Sequence, residues 1–255
     1  MISSRQNAWV KDIRRLRRSK GAQGRWLLEG PHLLGEAVVA GMEIEVTLAS
    51  PDFLASPSAE LGLPRPPLEI DPRLLDELTD SDSPRGVIAV VRRPEVRPAK
   101  APTLADGVHV YADGLQDPGN LGALARVIEA SGAQALWTAP GTCGAGHPRA
   151  LRASAGSLLR LPLAESVGPE RVDADLADHS PTWAALATRG GTPLWEADLG
   201  GCLVLAVGAE GPGLSETVRR RADVLVTLPM APPVESLNAT VSAALVLFEL
   251  RRRRR

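Results

Sequence analysis

Five polar side chains fall at the ends of three candidate strands. Asn120 and Arg126 follow the first, Glu210 stands in a glycine-rich turn after the second, and Ser236 and Asn238 follow the third. Ligands of open α/β sheets sit beyond the carboxyl ends of strands, so these residues share one candidate site. The amides and the hydroxyl both donate and accept, the carboxylate accepts, and the guanidinium stays protonated and suits phosphate or developing negative charge. Glycines such as Gly208 and Gly211 let a ligand approach the backbone closely. Several familiar chemistries are absent. Gly208-x-Glu210-Gly211-x-Gly213 lacks the spacing of the dinucleotide fingerprint and carries a glutamate inside the turn; Gly141-x-x-Gly144-x-Gly146 fails as well and reads as a loop. The chain holds no P-loop lysine, no serine nucleophile elbow and no HExxH pair. His32, His109, His147 and His179 lie in unrelated contexts and read as structural or exposed. Cys143 and Cys202 offer neither a disulfide framework nor metal-ligand spacing, which suits a reducing cytoplasm.

The elements that must position these residues alternate between strand and helix. Val108–Ala112 reads as a strand running into Asp113–Gly122 and then a helix to about Ser131, followed by a strand at Ala135–Thr138 and a helix over Arg149–Leu159. Further strands are expected at Trp183–Thr188, Leu203–Val207 and Val224–Leu228, the last ending in a turn rich in proline. Continuous apolar strands separated by helices predict a mainly parallel sheet covered on both faces. Ser236 and Asn238 are helix-capping types ahead of an apolar run to Leu250. That helix is apolar nearly all round, which places it against the core on more than one side or in a subunit interface. Glu170, Asp173, Asp175 and Asp178 read as an acidic surface segment.

The first part of the chain alternates in the same way. A basic helix over 5–19 with Ile13 and Leu16 as its apolar contacts precedes a strand at Arg25–Glu29, the Gly30-Pro31 stop, a helix over His32–Ala40, and a strand at Glu45–Ala49. A weaker helix, a strand at Leu68–Ile70, a helix at Pro72–Leu78 and a strand at Gly86–Val91 complete it. The proline- and charge-rich run after Arg92 marks a linker, giving a domain at 1–92, a linker at 93–104 and a second domain at 105–255. The net charge of −1 conceals a basic start: Arg5, Lys11, Arg14, Arg15, Arg17, Arg18, Lys20 and Arg25 face Asp12 alone within residues 1–25. A local basic patch on a near-neutral chain fits a phosphate-backbone footprint, with Arg14, Arg15, Arg17, Arg18 and Arg25 as its candidates. At 44% hydrophobic content and a mean hydropathy of −0.04, the 255-residue chain has material for real cores. No apolar run reaches the roughly 20 residues of a membrane span.

Three motifs carry a resemblance. Asp117-Pro118-Gly119-Asn120-Leu121-Gly122 with Arg126, Val207-Gly208-Ala209-Glu210-Gly211, and Leu228-Pro229-Met230 through Glu235-Ser236-Leu237-Asn238 resemble, in order, the motifs of the SpoU (TrmH) family of RNA ribose 2′-O-methyltransferases. The first domain, through Trp26-Leu27-Leu28-Glu29-Gly30 and Glu36-Ala37, resembles the family's substrate-binding domain, which is similar to kink-turn-binding ribosomal proteins. The resemblance implies an α/β protein: a small RNA-binding domain and a second domain of SPOUT fold with a deep trefoil knot, a homodimer built on that second domain, and S-adenosylmethionine as methyl donor. It implies cofactor contacts from Ala187, Thr188, Gly208, Glu210, Gly211, Leu228, Met230, Ser236, Leu237 and Asn238. Asn120, Arg126, Glu210, Ser236 and Asn238 become the catalytic and nucleotide-positioning set, and Arg152 an RNA contact. Two departures stand out: Ala231-Pro232-Pro233 replaces the usual glycine after the third-motif methionine, and Ala239-Thr240 replaces valine-serine after Asn238. RNA is the implied partner, ribosomal RNA before transfer RNA. A non-catalytic RNA-binding or ribosome-assembly protein and a nicotinamide oxidoreductase are the rival classes, the second weakened by the missing fingerprint.

Overall fold

Helix α1 (Ala8–Ser19) shows how the amino-terminal part assembles: Val10, Ile13 and Leu16 recur at helical spacing and are buried, while Lys11, Arg15 and Arg18 face solvent. The computed structural model describes residues 1–19, 24–56, 61–79, 85–93 and 107–254. The expected linker over 93–104 lies outside these residues apart from Arg93, which stacks over Trp26. Strands β1 (Arg25–Glu29), β2 (Glu43–Ala49) and β3 (Leu68–Glu69) each lead to a helix that starts on proline: α2 (Pro31–Val39), α3 (Pro51–Leu54) and α4 (Pro72–Asp76). Proline suits a first helical turn because its missing N–H would have no partner there. Ser50 and Asp71 cap α3 and α4 by accepting from first-turn N–H groups. Strand β4 (Val87–Arg92) runs antiparallel between β1 and β2, and β3 joins β2 in parallel, giving the order β1-β4-β2-β3.

The chain divides into two compact units. One comprises Met1–Glu95 with Gly144–Arg160; the other comprises Val96–Cys143 with Leu161–Arg255. The inserted segment Gly144–Arg160 corrects the expected continuous helix over Arg149–Leu159. Two short helices occur instead, α6 (Pro148–Ser154) and α7 (Ser157–Arg160), separated by Ala155 and Gly156 at φ 48° and 95°. The left-handed backbone at Gly156 favours glycine, and an added Cβ would stand 2.8 Å from the Glu36 side chain and displace it. Arg160 pairs with Glu36 across this approach, and Arg152 Nη1 binds the nearly buried Glu29 carboxylate at 3.0 Å.

The second unit is a seven-stranded sheet in which every described pairing is parallel. Its strands are β5 (Val108–Asp113), β6 (Ala135–Thr138), β7 (Leu163–Ala164), β8 (Thr182–Leu186), β9 (Thr192–Pro193), β10 (Leu203–Gly208) and β11 (Val224–Thr227), in the order β7-β6-β5-β10-β8-β11-β9. Helices α5 (Pro118–Ser131) and α10 (Ala239–Arg253) lie against each other, and α10 also packs on β10. Beside the sheet, Tyr111, Trp137 and Trp183 anchor a core otherwise filled by small aliphatics. Tyr111 and Trp183 meet edge to face at 5.2 Å. The expected acidic surface segment begins with helix α8 (Pro169–Asp175); Glu170 and Asp178 are exposed, while Asp173, half-buried, is a structural acceptor. Trp183 Nε1 donates to it at 2.8 Å, and Arg221 of α9 (Glu216–Arg221) binds it as well. A buried indole N–H usually finds such a partner, which a reading by charge alone misses, although Trp137 Nε1 has none among the described residues. The carboxyl-terminal arginines also have structural work. Arg251 donates to the carbonyl of Ala130 near the end of α5, Arg253 to those of Leu194 and Ala197, and Arg254 to those of Leu199 and Gly201.

His109, near the start of β5 and far along the strand from its carboxyl end, is 1% exposed. Its ring meets Trp137 edge to face at 5.1 Å, and neither ring nitrogen has a hydrogen-bond partner among the described residues. Burial lowers its pKa to about 4, with the charges of His179 and Arg254 adding to the effect.

Candidate active site

The carboxyl edge of the parallel sheet carries the site. Strand β5 ends at Asp113, whose carboxylate accepts from Ser215 N at 2.6 Å. The chain then passes to α5, where Asp117 caps the helix through the N–H groups of Gly119 and Asn120. This cap sets Asn120 in the first turn. Strand β10 ends at Gly208 and enters a tight turn closed by paired bonds between Ala209 and Gly213, both at 3.0 Å. An added Cβ at Gly208 would lie 2.5 Å from main-chain carbon of Gly213, so the turn can fold back only over glycine. Glu210 rides on this turn. Asn238 caps α10, its Oδ1 accepting from Thr240 N at 2.9 Å and Val241 N at 3.2 Å.

These three local devices bring three side chains together. Asn120 Nδ2 donates to Glu210 Oε1 at 2.8 Å, Asn238 Nδ2 donates to the same oxygen at 2.6 Å, and Asn238 Nδ2 also reaches Asn120 Oδ1 at 3.2 Å. Glu210 Oε2 has no hydrogen-bond partner among the described residues, so one carboxylate oxygen is pinned and the other is open. The Thr240 hydroxyl, absent from the expected set, donates to the main-chain carbonyl of Asn120 at 3.1 Å and ties the start of α10 to that of α5. A cavity of about 500 Å³ opens beside the cluster. Ala187, Thr188, Gly208, Glu210, Gly211, Leu228, Met230, Ser236, Leu237 and Asn238 all line it. Arg219 also lines it, and no motif had pointed to that residue.

Arg126 is not part of this cluster: it is exposed on α5 and makes no hydrogen bond or ion pair among the described residues. The basic residues of the first unit divide into two groups. Arg14 Nη2 binds Glu77 at 2.6 Å, and Arg17 donates to the Glu77 carbonyl at 2.8 Å. Arg25 holds Asp12 and Glu45, both at 2.6 Å; the bonds to Asp12, then Glu45, raise its pKa, and the bond from Arg25 holds the Asp12 carboxyl below its ordinary range. Arg152 holds Glu29. Arg15 and Arg18 are exposed with no hydrogen bond among the described residues. A cavity of about 540 Å³ lies in this unit where α2, α3 and α4 begin, with Phe53, Leu75 and Arg85 in its wall.

A parallel sheet with a cavity at its carboxyl edge, walled by glycine turns and flanked by an amide–carboxylate–amide cluster, defines an α/β enzyme that binds a small organic molecule there. Residues 107–248 match the SpoU rRNA Methylase family and residues 7–89 the MRM3-like substrate binding domain. The chain belongs to the SpoU family of RNA methyltransferases. It is 29% identical to the 23S rRNA (guanosine(2553)-2′-O)-methyltransferase RlmP of Bacillus subtilis (strain 168), with 98% of each chain covered. The crystal structure of the SpoU methyltransferase AviRb from Streptomyces viridochromogenes in complex with the cofactor AdoMet is similar at a TM-score of 0.89 and 28% identity, covering 98% of both chains. A crystal structure of an RNA 2′-O ribose methyltransferase gives a TM-score of 0.81 at 32% identity, covering 99% of this chain and 98% of the other.

Proposed function

We propose that the protein methylates a ribose 2′-hydroxyl of RNA, with 23S ribosomal RNA as substrate and S-adenosylmethionine as donor. The observation that carries this reading is the Asn120–Glu210–Asn238 cluster at the mouth of the cavity. The cavity fits the donor in kind and size. Leu186, Val207, Leu228 and Leu237 offer apolar walls for a nucleoside, the turn at Gly208 and Gly211 offers bare backbone, and the volume suits a molecule of that class. When bound, S-adenosylmethionine supplies an electrophilic methyl group on a sulfonium.

The residues have distinct tasks. Ala187, Thr188, Leu228, Met230 and Leu237 hold the donor against the strand ends, and Ser236 places a hydroxyl at the cavity edge. Glu210 Oε2 accepts from the ribose hydroxyl while Asn120 and Asn238 fix the carboxylate through Oε1. Orientation of this kind replaces a bimolecular encounter and supplies much of the rate. A guanidinium stays protonated in proteins, so Arg126 acts as a cation: it binds the adjacent phosphate and stabilises charge developing on the ribose oxygen. Its exposure without a protein partner suits that task.

The first unit recognises folded RNA by shape and unpaired bases. Arg15 and Arg18 are the cations most available to phosphates, while Arg14, Arg17, Arg25 and Arg152 must share theirs with protein partners. The likeness to RlmP supports ribosomal RNA and so a cytoplasmic enzyme. Membership of the SpoU family is what implies a knotted carboxyl-terminal unit. Val241, Leu245 and Phe248 recur on one face of α10 and are each nearly half exposed, which supports a homodimer through that helix.

The test is transfer of labelled methyl groups from S-adenosylmethionine to unmodified ribosomal RNA and unmodified transfer RNA, alongside Arg126→Ala. Label in ribosomal RNA that falls by on the order of 100-fold in the variant supports the reading. Label confined to transfer RNA moves the substrate, and donor binding without transfer to any RNA favours a binding protein.

A further inference from the structure

Helix α9 carries three consecutive arginines in unlike surroundings. Arg220 pairs with Glu216 at 2.9 Å, and Arg221 pairs with Asp173 at 2.8 Å and Asp223 at 3.0 Å. Arg219 has no carboxylate partner among the described residues. Its Nε donates to the main-chain carbonyl of Leu214 at 3.2 Å, which holds the guanidinium beside the glycine turn; Nη2 lies 3.5 Å from where a Cβ on Gly213 would stand. The terminal N–H groups on Nη1 and Nη2 thus remain unused while the side chain lines the cavity.

The charges of the cavity wall are few. Of the side chains that line it, Glu210 and Arg219 carry full charge, and Glu210 is already engaged by Asn120 and Asn238. A guanidinium held by one main-chain bond, with its two terminal amino groups free, matches a planar anion that presents two oxygens. The donor assigned to this cavity carries one such group, the carboxylate of its amino-acid part. We propose that Arg219 binds that carboxylate and so makes the cavity selective for a donor with an intact amino-acid tail. This inference rests on the reading that the cavity holds S-adenosylmethionine. An RNA phosphate offers similar chemistry from outside the cavity, and the experiment separates the two.

Isothermal titration of the full chain with S-adenosylmethionine and with its decarboxylated analogue reads the contact directly. The wild type is expected to prefer the intact donor by on the order of tenfold, the scale of one charge-assisted contact. Arg219→Gln is expected to bind both compounds alike, with the affinity the wild type shows for the analogue, and Arg219→Lys to retain part of the preference. Unchanged affinity for the analogue shows that the variant is folded. Wild type without preference, or Arg219→Gln with the preference intact, overturns the proposal. Loss of ribosomal-RNA affinity in Arg219→Gln with donor selectivity preserved assigns the guanidinium to a phosphate and overturns it too. A wild type that binds neither compound removes the cofactor reading of the cavity itself, and the assignment of Arg219 falls with it.

Discussion

The amide of Asn238 is used at both ends: Oδ1 caps α10 and Nδ2 donates to Glu210 and Asn120. The two uses are separable. Asn238→Asp keeps an oxygen for the cap but loses the donor and sets a second carboxylate against Glu210. Thermal unfolding should therefore change by no more than about 1 kcal/mol, while methyl transfer falls by on the order of 100-fold. Asn238→Ala loses both uses and should cost about 1 kcal/mol of stability as well. Parallel stability and activity measurements on the two variants check this, and methyl transfer retained by Asn238→Asp would contradict it. Asn120, Glu210 and Asn238 were legible in the sequence because their types are informative at strand ends. Thr240 and Arg219 were not. Each bonds a main-chain carbonyl, of Asn120 and Leu214 respectively, and a main-chain acceptor has no residue type to mark it.

At the scale of elements, the turn after β10 depends on Gly208. An alanine there would press its Cβ to 2.6 Å from Leu214 N and similarly close to Gly213, both main chain that cannot yield unless the Ala209–Gly213 pairing opens. Gly208→Ala is expected to cost about 1–3 kcal/mol and to weaken S-adenosylmethionine binding by at least tenfold, read by titration. Unchanged binding would show that this turn does not shape the cavity. Helix α10 poses a second case. Its apolar run was legible, and two destinations for it were open: core on several sides, or a subunit interface. The structure buries Ala243, Val246, Leu247 and Leu250 and leaves Val241, Leu245 and Phe248 outward. Leu245→Lys should then convert a dimer to a monomer in light scattering with little change in protomer helicity; a wild-type monomer would refute the interface. Strands with continuous apolar sequence were legible from pattern alone. The break at Ala155–Gly156 and the short β7 and β9 were not, because tertiary approach to Glu36 and pairing with β6 and β11 decide them.

Across the whole molecule, ionic contacts redistribute what the sequence shows as one basic patch. Glu77, Asp12 and Glu45 draw Arg14 and Arg25 into ion pairs, and long-range pairing of this kind leaves no local pattern along the chain. His109 gives the fold a pH dependence. Its folded pKa is about 4, against roughly 6.5 in the unfolded chain. Above pH 6.5 the ring is neutral in both states and contributes nothing. As pH falls from 6.5 to 4 the unfolded chain takes up a proton that the buried ring refuses, so stability falls by roughly 3 kcal/mol. His109→Leu should remove that portion of the acid loss, seen as a flatter denaturation profile between pH 7 and 4; a profile parallel to wild type would contradict it.

The measurement that bears most directly on the proposed activity is the position of the transferred methyl group. Ribosomal RNA labelled by the protein from S-adenosylmethionine would be hydrolysed in alkali, which requires a free 2′-hydroxyl to cut the chain. Label retained in alkali-resistant dinucleotides, and lost with Asn238→Asp, is the expected result. Label released in mononucleotides would place the methyl on a base and contradict the assignment of Glu210, Asn120 and Asn238 to a ribose hydroxyl.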